Sequence, residues 1–297
     1  MKISMNTSYP AKCFGDKEAI RIIARAGFDA FDYTVGDSDD DNPVYGENYR
    51  EYVAELAKTA EECQIVCNQA HASFPPRRWG EEEYNQKTFK RIIREMEAAA
   101  LLGAKSIVVH PITSFPEGTT REEIMEQNLE FYGSLLPYCR QFGIKVAVEN
   151  MFTRDKKRGC AIGIATGMAK DFREYMEKLD QEWFVACLDL GHSSLVGEEG
   201  WDVIPVLGKK YLHALHVQDT DYLKDLHTLP YTGKLEWDGT LKALAEIDYE
   251  DEFTLEASYF LKGFPKDFLQ EAVTFMGKVA RYMANRIEEE KQNIRRG

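Results

Sequence analysis

Short apolar, β-branched runs recur along the chain, and each stops at a polar residue. They cover residues 3–8, 30–35, 65–70, 106–109, 145–148, 184–188, 212–215 and 252–255. Runs this brief and continuous read as strands buried on both faces. The last six lead into His71, His110, Glu149, Asp189, His216 and Glu256, at gaps of 39, 39, 40, 27 and 40 residues. Asn6 and Tyr33 hold comparable places in the first two runs and are expected to line the floor of a pocket. A repeat of this length signals a tandem supersecondary unit.

Helical patterns fill the intervals, at about 16–26, 49–64, 82–102, 120–143, 168–179, 202–209 and 238–246. In the first, Ile20, Ile23 and Ala24 share one face and Gly27 marks the stop. Thr120 and Glu123 spell a capping box. A helical tail begins at about 265, and its Phe268, Ala272, Phe275, Val279, Met283 and Ile287 are spaced for one apolar face. Six stretches read as loops. They are the acidic 37–49, the proline-broken 73–80, 112–118 after His110-Pro111, the basic, glycine-containing 152–167, a glycine-flanked flexible segment after Asp189, and 218–235. No linker divides residues 1–297, which read as one domain.

Eight strands alternating with eight helices predict an α/β fold, a single (β/α)8 TIM barrel. The alternative, a doubly wound sheet, would want a glycine-rich fingerprint after the first strand, and none is there. In a barrel the C-terminal strand ends share one mouth. Residues over 100 positions apart, such as Glu149 and Glu256, then meet at one site. Three carboxylates cannot share a poorly solvated pocket unless a cation neutralises them. Glu149, Asp189, His216 and Glu256 are therefore the expected ligands of a divalent metal. Mixed oxygen and imidazole donors suit Mn2+, Co2+, Mg2+ or Zn2+.

Composition narrows the partners. The net charge of −13 repels phosphate backbones, so nucleic acid is not expected as a partner. No apolar run approaches the roughly 20 residues of a membrane span, and the first residues lack a signal peptide's apolar core. A cytoplasmic protein is expected, free of membrane, taking a small molecule as its partner and able to assemble as a homo-oligomer. Six scattered cysteines, Cys63 and Cys67 among them, complete no zinc-ribbon pattern and read as reduced thiols. Arg77, Arg78, Arg154, Lys156, Lys157 and Arg158 are candidate anion contacts in loops at the mouth, and Trp79, Phe115 and Trp237 candidate stacking residues.

VAVENM, CLDLGHSSL, LHALHVQD, LHTLPYTGKLEWDG and TLEASY resemble motifs of the sugar phosphate isomerase/epimerase superfamily. These are xylose isomerase-like TIM barrels that include ketose 3-epimerases, inosose dehydratases and apurinic endonucleases. The resemblance runs from GFDAFDY at 27–33 to Glu256. It implies a metal held by Glu149, Asp189, His216 and Glu256, with Glu149 and Glu256 as the proton-transferring carboxylates. It implies substrate contacts from His192, and His71 and His110 stand at the same mouth. Asp225 and His227 are candidates for a second metal or for substrate. The sequence departs from the ketose 3-epimerases after His216, where Val-Gln-Asp-Thr-Asp-Tyr stands in place of a segment carrying Arg. Isomerase chemistry and dehydration of an inosose-like keto-polyol stay open beside epimerisation. By residue type the chain also holds all nine ligands of the three-zinc endonucleases: His71, His110, Glu149, Asp189, His192, His216, Asp225, His227 and Glu256. A non-catalytic barrel is the third class, and the occupied ligand positions speak against it.

Overall fold

The computed structural model describes residues 1–35 and 41–296. Most of the acidic stretch at the start of the 37–49 loop lies outside the described residues. The chain runs β1 (Ile3–Asn6), α1 (Ser8–Phe14), α2 (Asp16–Arg25), β2 (Ala30–Thr34), α3 (Tyr49–Glu62), β3 (Val66–His71), α4 (Glu82–Leu101), β4 (Ser106–Val109) and α5 (Arg121–Phe142). It continues β5 (Lys145–Glu149), β6 (Met151–Arg154), β7 (Ala161–Ile164), α6 (Ala169–Lys178), β8 (Phe184–Asp189), α7 (Leu190–Leu195) and α8 (Gly200–Tyr211). It closes with β9 (Leu212–His216), α9 (Trp237–Glu246), β10 (Phe253–Leu255) and α10 (Leu269–Arg296).

Eight of these strands form one parallel sheet in the order β10-β1-β2-β3-β4-β5-β8-β9. Just past β9, Val217 N donates to Thr254 O at 2.9 Å and Glu256 N donates to Val217 O at 3.0 Å, which closes the barrel. Strand order follows chain order, with helices between strands, as a (β/α)8 TIM barrel requires. Val108, Ala147, Val185, Cys187 and Ala214 fill the middle of the barrel as a small apolar layer. The larger core lies outside the sheet, where residues such as Ile107, Val146, Val148 and Leu215 meet the helices. Period-2 alternation therefore divides each strand between a narrow interior and a wide outer shell.

Local chemistry sets the helix limits. At the start of α5, Thr120 N donates to Glu123 Oε2 at 2.8 Å and Glu123 N donates to Thr120 Oγ1 at 3.2 Å, completing the capping box. Gly143 ends the helix at φ 68°, in the left-handed region where a side chain costs energy. All six cysteines are unpaired. No helix among the described residues is long and apolar enough to cross a membrane.

Three local expectations are corrected. The 152–167 segment is the antiparallel hairpin β6–β7, with Met151 paired to Ile164 and Arg154 to Ala161. From its far end Thr166 Oγ1 donates to the Glu149 carbonyl at 2.5 Å, so the hairpin pins the end of β5. The segment after Asp189 is the buried helix α7, not a flexible loop. Its Gly191 is packing-driven, since a Cβ there would lie 2.5 Å from Gln218 Cδ. The C-terminal helix starts at Leu269, after two short 3-10 turns.

Candidate metal centre

Four strand ends deliver four donors. Glu149 closes β5, Asp189 closes β8 and His216 closes β9, all three fully buried, and Glu256 follows β10. One donor atom from each lies within 4.8 Å of every other. His216 Nδ1 is 2.8 Å from Glu149 Oε1 and 3.3 Å from Glu256 Oε2. Asp189 turns out of its strand to cap α7, its Oδ1 accepting from His192 N at 2.7 Å. Its backbone is tied to Asn150: Asp189 N donates to Asn150 Oδ1 at 2.7 Å, and Asn150 Nδ2 donates to Asp189 O at 2.9 Å.

Four of the other five histidines form two flanking groups, while His213 pairs with Asp251 away from the centre. His71 and His110 join Glu149 in one, with His110 Nε2 at 2.8 Å from Glu149 Oε2. His192, Asp225 and His227 form the other. There Asp225 Oδ2 is 3.0 Å from His227 Nε2 and 3.5 Å from His192 Nε2. Backbone carbonyls orient two of these rings, Asn150 O at 2.9 Å from His192 Nδ1 and Glu256 O at 3.1 Å from His227 Nδ1. Phe74 packs on His110, Phe152 on His192 and Tyr259 on His227, with ring centroids 4.6, 5.2 and 5.2 Å apart. A cavity of about 230 Å3 opens beside Glu256 and His71 and reaches Asn6, Ser73 and Tyr259.

The electrostatics are those of a crowded acid and imidazole cluster. Burial pushes the Glu149 carboxyl up, but His110 and His216 outweigh it and hold Glu149 well below the carboxylate range. Burial pushes Glu256 to about 8, against the pull of His216 and His227. Burial lowers His71 to about 4, helped by repulsion from His110 and His216. Burial also opposes charge on His227, yet Glu256 and Asp225 raise it to about 9. Burial opposes charge on His192 and His216 too, yet His192 is raised by Asp189, Asp225 and Glu149, and His216 by Cys187 ahead of Glu256 and Glu149. A cation held by the carboxylates would take the place of these protons.

The donor set fits a divalent metal on two counts. Glu149 Oε2 is buried 2.8 Å from His110 Nε2 but out of line for a hydrogen bond, and His110 Nδ1 is buried without a partner; buried polar atoms seldom stay unpaired. The convergent donors are carboxylate oxygens and imidazole nitrogens, the mixture that suits Mn2+, Co2+, Mg2+ or Zn2+.

Sequence reasoning missed three residues. Asp32, not Tyr33, is the β2 side chain that points into the barrel: Asp32 Oδ2 lies 3.4 Å from His216 Nε2, while Tyr33 OH turns outward to Asp16 at 2.8 Å. Gln218 bridges two donor groups, its Nε2 donating to Asp189 Oδ2 at 3.0 Å and Asp225 Oδ1 at 2.8 Å. Its Oε1 accepts from His227 N at 2.8 Å. Asn150 is the third. The signal for Gln218 was its place two residues after His216, on the same face of an extended chain.

The basic and aromatic candidates largely fall away from the centre. Arg78 pairs with Glu81 at 3.3 Å, Lys157 with Glu117 at 3.7 Å and Arg158 with Asp155 at 3.6 Å, all near the surface. Arg77 lines a separate cavity beside α4. Trp237 is buried and donates to Asp219 at 3.1 Å, Phe115 packs against the outer core, and Trp79 is exposed.

The chain belongs to the xylose isomerase-like TIM barrel family, whose sequence model matches residues 20–278. Among curated relatives, the uncharacterized protein y4fM of Sinorhizobium fredii is 25% identical over 167 residues, 54% of this chain and 50% of that protein. The chain thus spans about half the length of that relative. Among solved structures, a D-tagatose 3-epimerase-like protein superposes with a TM-score of 0.73 at 18% identity, covering 99% of this chain and 100% of that one. The 3-keto-D-glucoside 4-epimerase YcjR from E. coli gives 0.70 at 18%, covering 93% and 98%. At such identities the likeness is one of fold.

Proposed function

We propose that the protein is a divalent-metal-dependent sugar or sugar-phosphate isomerase or epimerase. The observation that carries the reading is the meeting of Glu149 and Glu256 around His216 Nδ1, from strands three steps apart in the barrel. Both similar structures above carry epimerase names, which supports the same class. Glu149, Asp189, His216 and Glu256 would hold the metal, and the metal would supply Lewis-acid polarisation of a carbonyl and an adjacent hydroxyl.

The chain's own residues then divide the proton work. One of Glu149 and Glu256 removes a proton from the carbon beside the carbonyl, and the other returns one. Return to the opposite face epimerises the carbon; return to the former carbonyl carbon, with the hydroxyl proton passing to the former carbonyl oxygen, isomerises the sugar. General acid–base help of this kind contributes roughly 100- to 10,000-fold. His71, His110 and His192 would bind substrate oxygens, and Phe74, Phe152 and Tyr259, packed on His110, His192 and His227, would shield the site from water. Expulsion of a hydroxyl after the first proton transfer would give the dehydratase variant on a keto-polyol.

A second reading is favoured by one observation: His192, Asp225 and His227 form a donor group separate from that of Glu149, Asp189, His216 and Glu256. Multinuclear sites suit phosphodiester hydrolysis, as in an apurinic endonuclease. The net charge of −13 weighs against a DNA substrate. The two readings separate in one screen. Ketoses, sugar phosphates, inososes, hydroxypyruvate and abasic DNA are incubated with metal in D2O. Deuterium entering carbon without cleavage supports the first reading, and strand cleavage of abasic DNA would replace it with the second.

A further inference from the structure

His216 is approached from two sides. Its Nδ1 faces Glu149 and Glu256, and its Nε2 faces Asp32 Oδ2 at 3.4 Å. Asp32 is fully buried, lies on a strand that is not a sheet neighbour of β9, and belongs to none of the donor groups around the candidate centre. Asp32 Oδ1 and His216 Nε2 are both buried without a hydrogen-bond partner. A carboxylate there is costly unless something needs its charge.

The barrel floor is built to hold Asp32. Gln69 Nε2 donates to Asp32 Oδ2 at 3.2 Å. Gln69 Oε1 accepts from Thr254 Oγ1 at 3.4 Å and from Asn68 Nδ2 at 3.4 Å. Asn68 Oδ1 accepts from Ser4 Oγ at 2.7 Å. The β2–β3 register slips between Phe31 and Asp32, so that Asp32 pairs with Gln69. A slip of that kind lets the consecutive Asn68 and Gln69 both reach the interior. Side chains from β1, β3 and β10 thus end on one carboxylate that faces one imidazole.

We infer that Asp32 is a positioning residue for His216: it accepts the Nε2 proton and holds the ring with Nδ1 toward the metal-binding carboxylates. The inference rests on the metal reading above. A ring that gives Nδ1 to a cation carries its proton on Nε2, and a carboxylate acceptor there fixes the tautomer and raises the ligand's basicity. Gln69 supplies the counter-donor that keeps Asp32 from turning away.

The test is metal affinity in a double-mutant cycle. Mn2+ and Zn2+ are each titrated alone, in competition with a chromophoric chelator, into the purified wild-type protein, Asp32→Ala, His216→Ala and the double variant. Asp32→Ala is expected to weaken binding about 10- to 100-fold, the usual loss for such a partner. It is expected to cause no further loss once His216 is alanine. Asp32→Asn keeps an acceptor oxygen and is expected to lie between; should the alanine variant fail to fold, the same cycle runs with asparagine. Equal weakening with and without His216 would mean a general structural role and overturn the inference, as would undiminished affinity in Asp32→Ala. Failure of the wild-type protein to bind either metal would overturn the metal reading and the inference together.

Discussion

Glu149 and His216, 67 residues apart in the chain, meet at 2.8 Å across the mouth of the barrel. Neither side chain is exposed to solvent, and His110 crowds the same carboxylate from the other side at 2.8 Å. A carboxylate in that position holds its charge only through the groups around it. Glu149→Gln keeps the shape and removes the charge. It is expected to cut turnover by about 100- to 10,000-fold and to lower metal affinity, as measured by turnover and by competitive metal titration. Wild-type turnover in this variant would remove Glu149 from the chemistry.

Gln218 is the next most telling position. Its amide joins Asp189 to Asp225 and its carbonyl holds the His227 backbone. Gln218→Ala is expected to loosen both donor groups and weaken metal binding about 10- to 100-fold while far-ultraviolet circular dichroism stays unchanged. Binding as tight as wild type would show that the bridge is incidental.

Gly191 reports on the same bridge from the backbone side. A methyl at this position would press on the Gln218 amide carbon, which is held at both ends. Gly191→Ala is expected to destabilise the fold by about 1–3 kcal/mol through overpacking. Denaturant unfolding measures it, and in Gln218→Ala the same substitution should cost less.

Bound metal should stabilise the fold, because the four donors converge only in the native state. At a free-metal concentration about 100 times Kd the stabilisation is about 2.7 kcal/mol. Thermal unfolding with and without a chelator checks this, with a higher Tm expected for the metal-loaded protein.

Away from the centre, Glu95 sets a pH dependence. It is buried under the loop after β3, accepting from Ser73 N at 2.9 Å, from Ser73 Oγ at 2.5 Å and from the Tyr45 hydroxyl. Burial raises its carboxyl above the ordinary 4.5, partly offset by those hydrogen bonds. A carboxyl raised on folding contributes stability below its unfolded pKa and loses it as pH rises through the folded value. Glu95→Gln should remove that loss. The Tm difference is therefore expected to shift in favour of the variant as pH rises above 4.5; a difference that shifts the other way would contradict the assignment.

The barrel and its four principal strand ends were legible because a buried parallel strand has few ways to end in a charge, and the interval between such ends repeats. What the sequence hid was parity. Asp32 and Tyr33 are adjacent, so one faces the interior and the other the helices. Nothing in the run 30–35 announces which, because both are fully buried. The slip in the β2–β3 register compounds this, since it resets the alternation beside Asp32. The β6–β7 hairpin was hidden for a different reason: it is half-exposed and basic, with little apolar alternation to show a strand. Helix α7 was masked by the glycines in and after it, of which Gly191 serves close packing against Gln218 rather than flexibility.

In the proposed reaction Glu149 and Glu256 move a proton to and from carbon when the centre holds its metal. The direct measurement is deuterium incorporation from D2O into a ketose substrate, followed by proton NMR. It compares the metal-loaded protein, the chelator-treated protein, Glu149→Gln and Glu256→Gln. Deuterium at the carbon beside the carbonyl with the loaded wild type, lost on chelation and in both variants, is the expected result. Incorporation that survives chelation, or that persists in both variants, would contradict it.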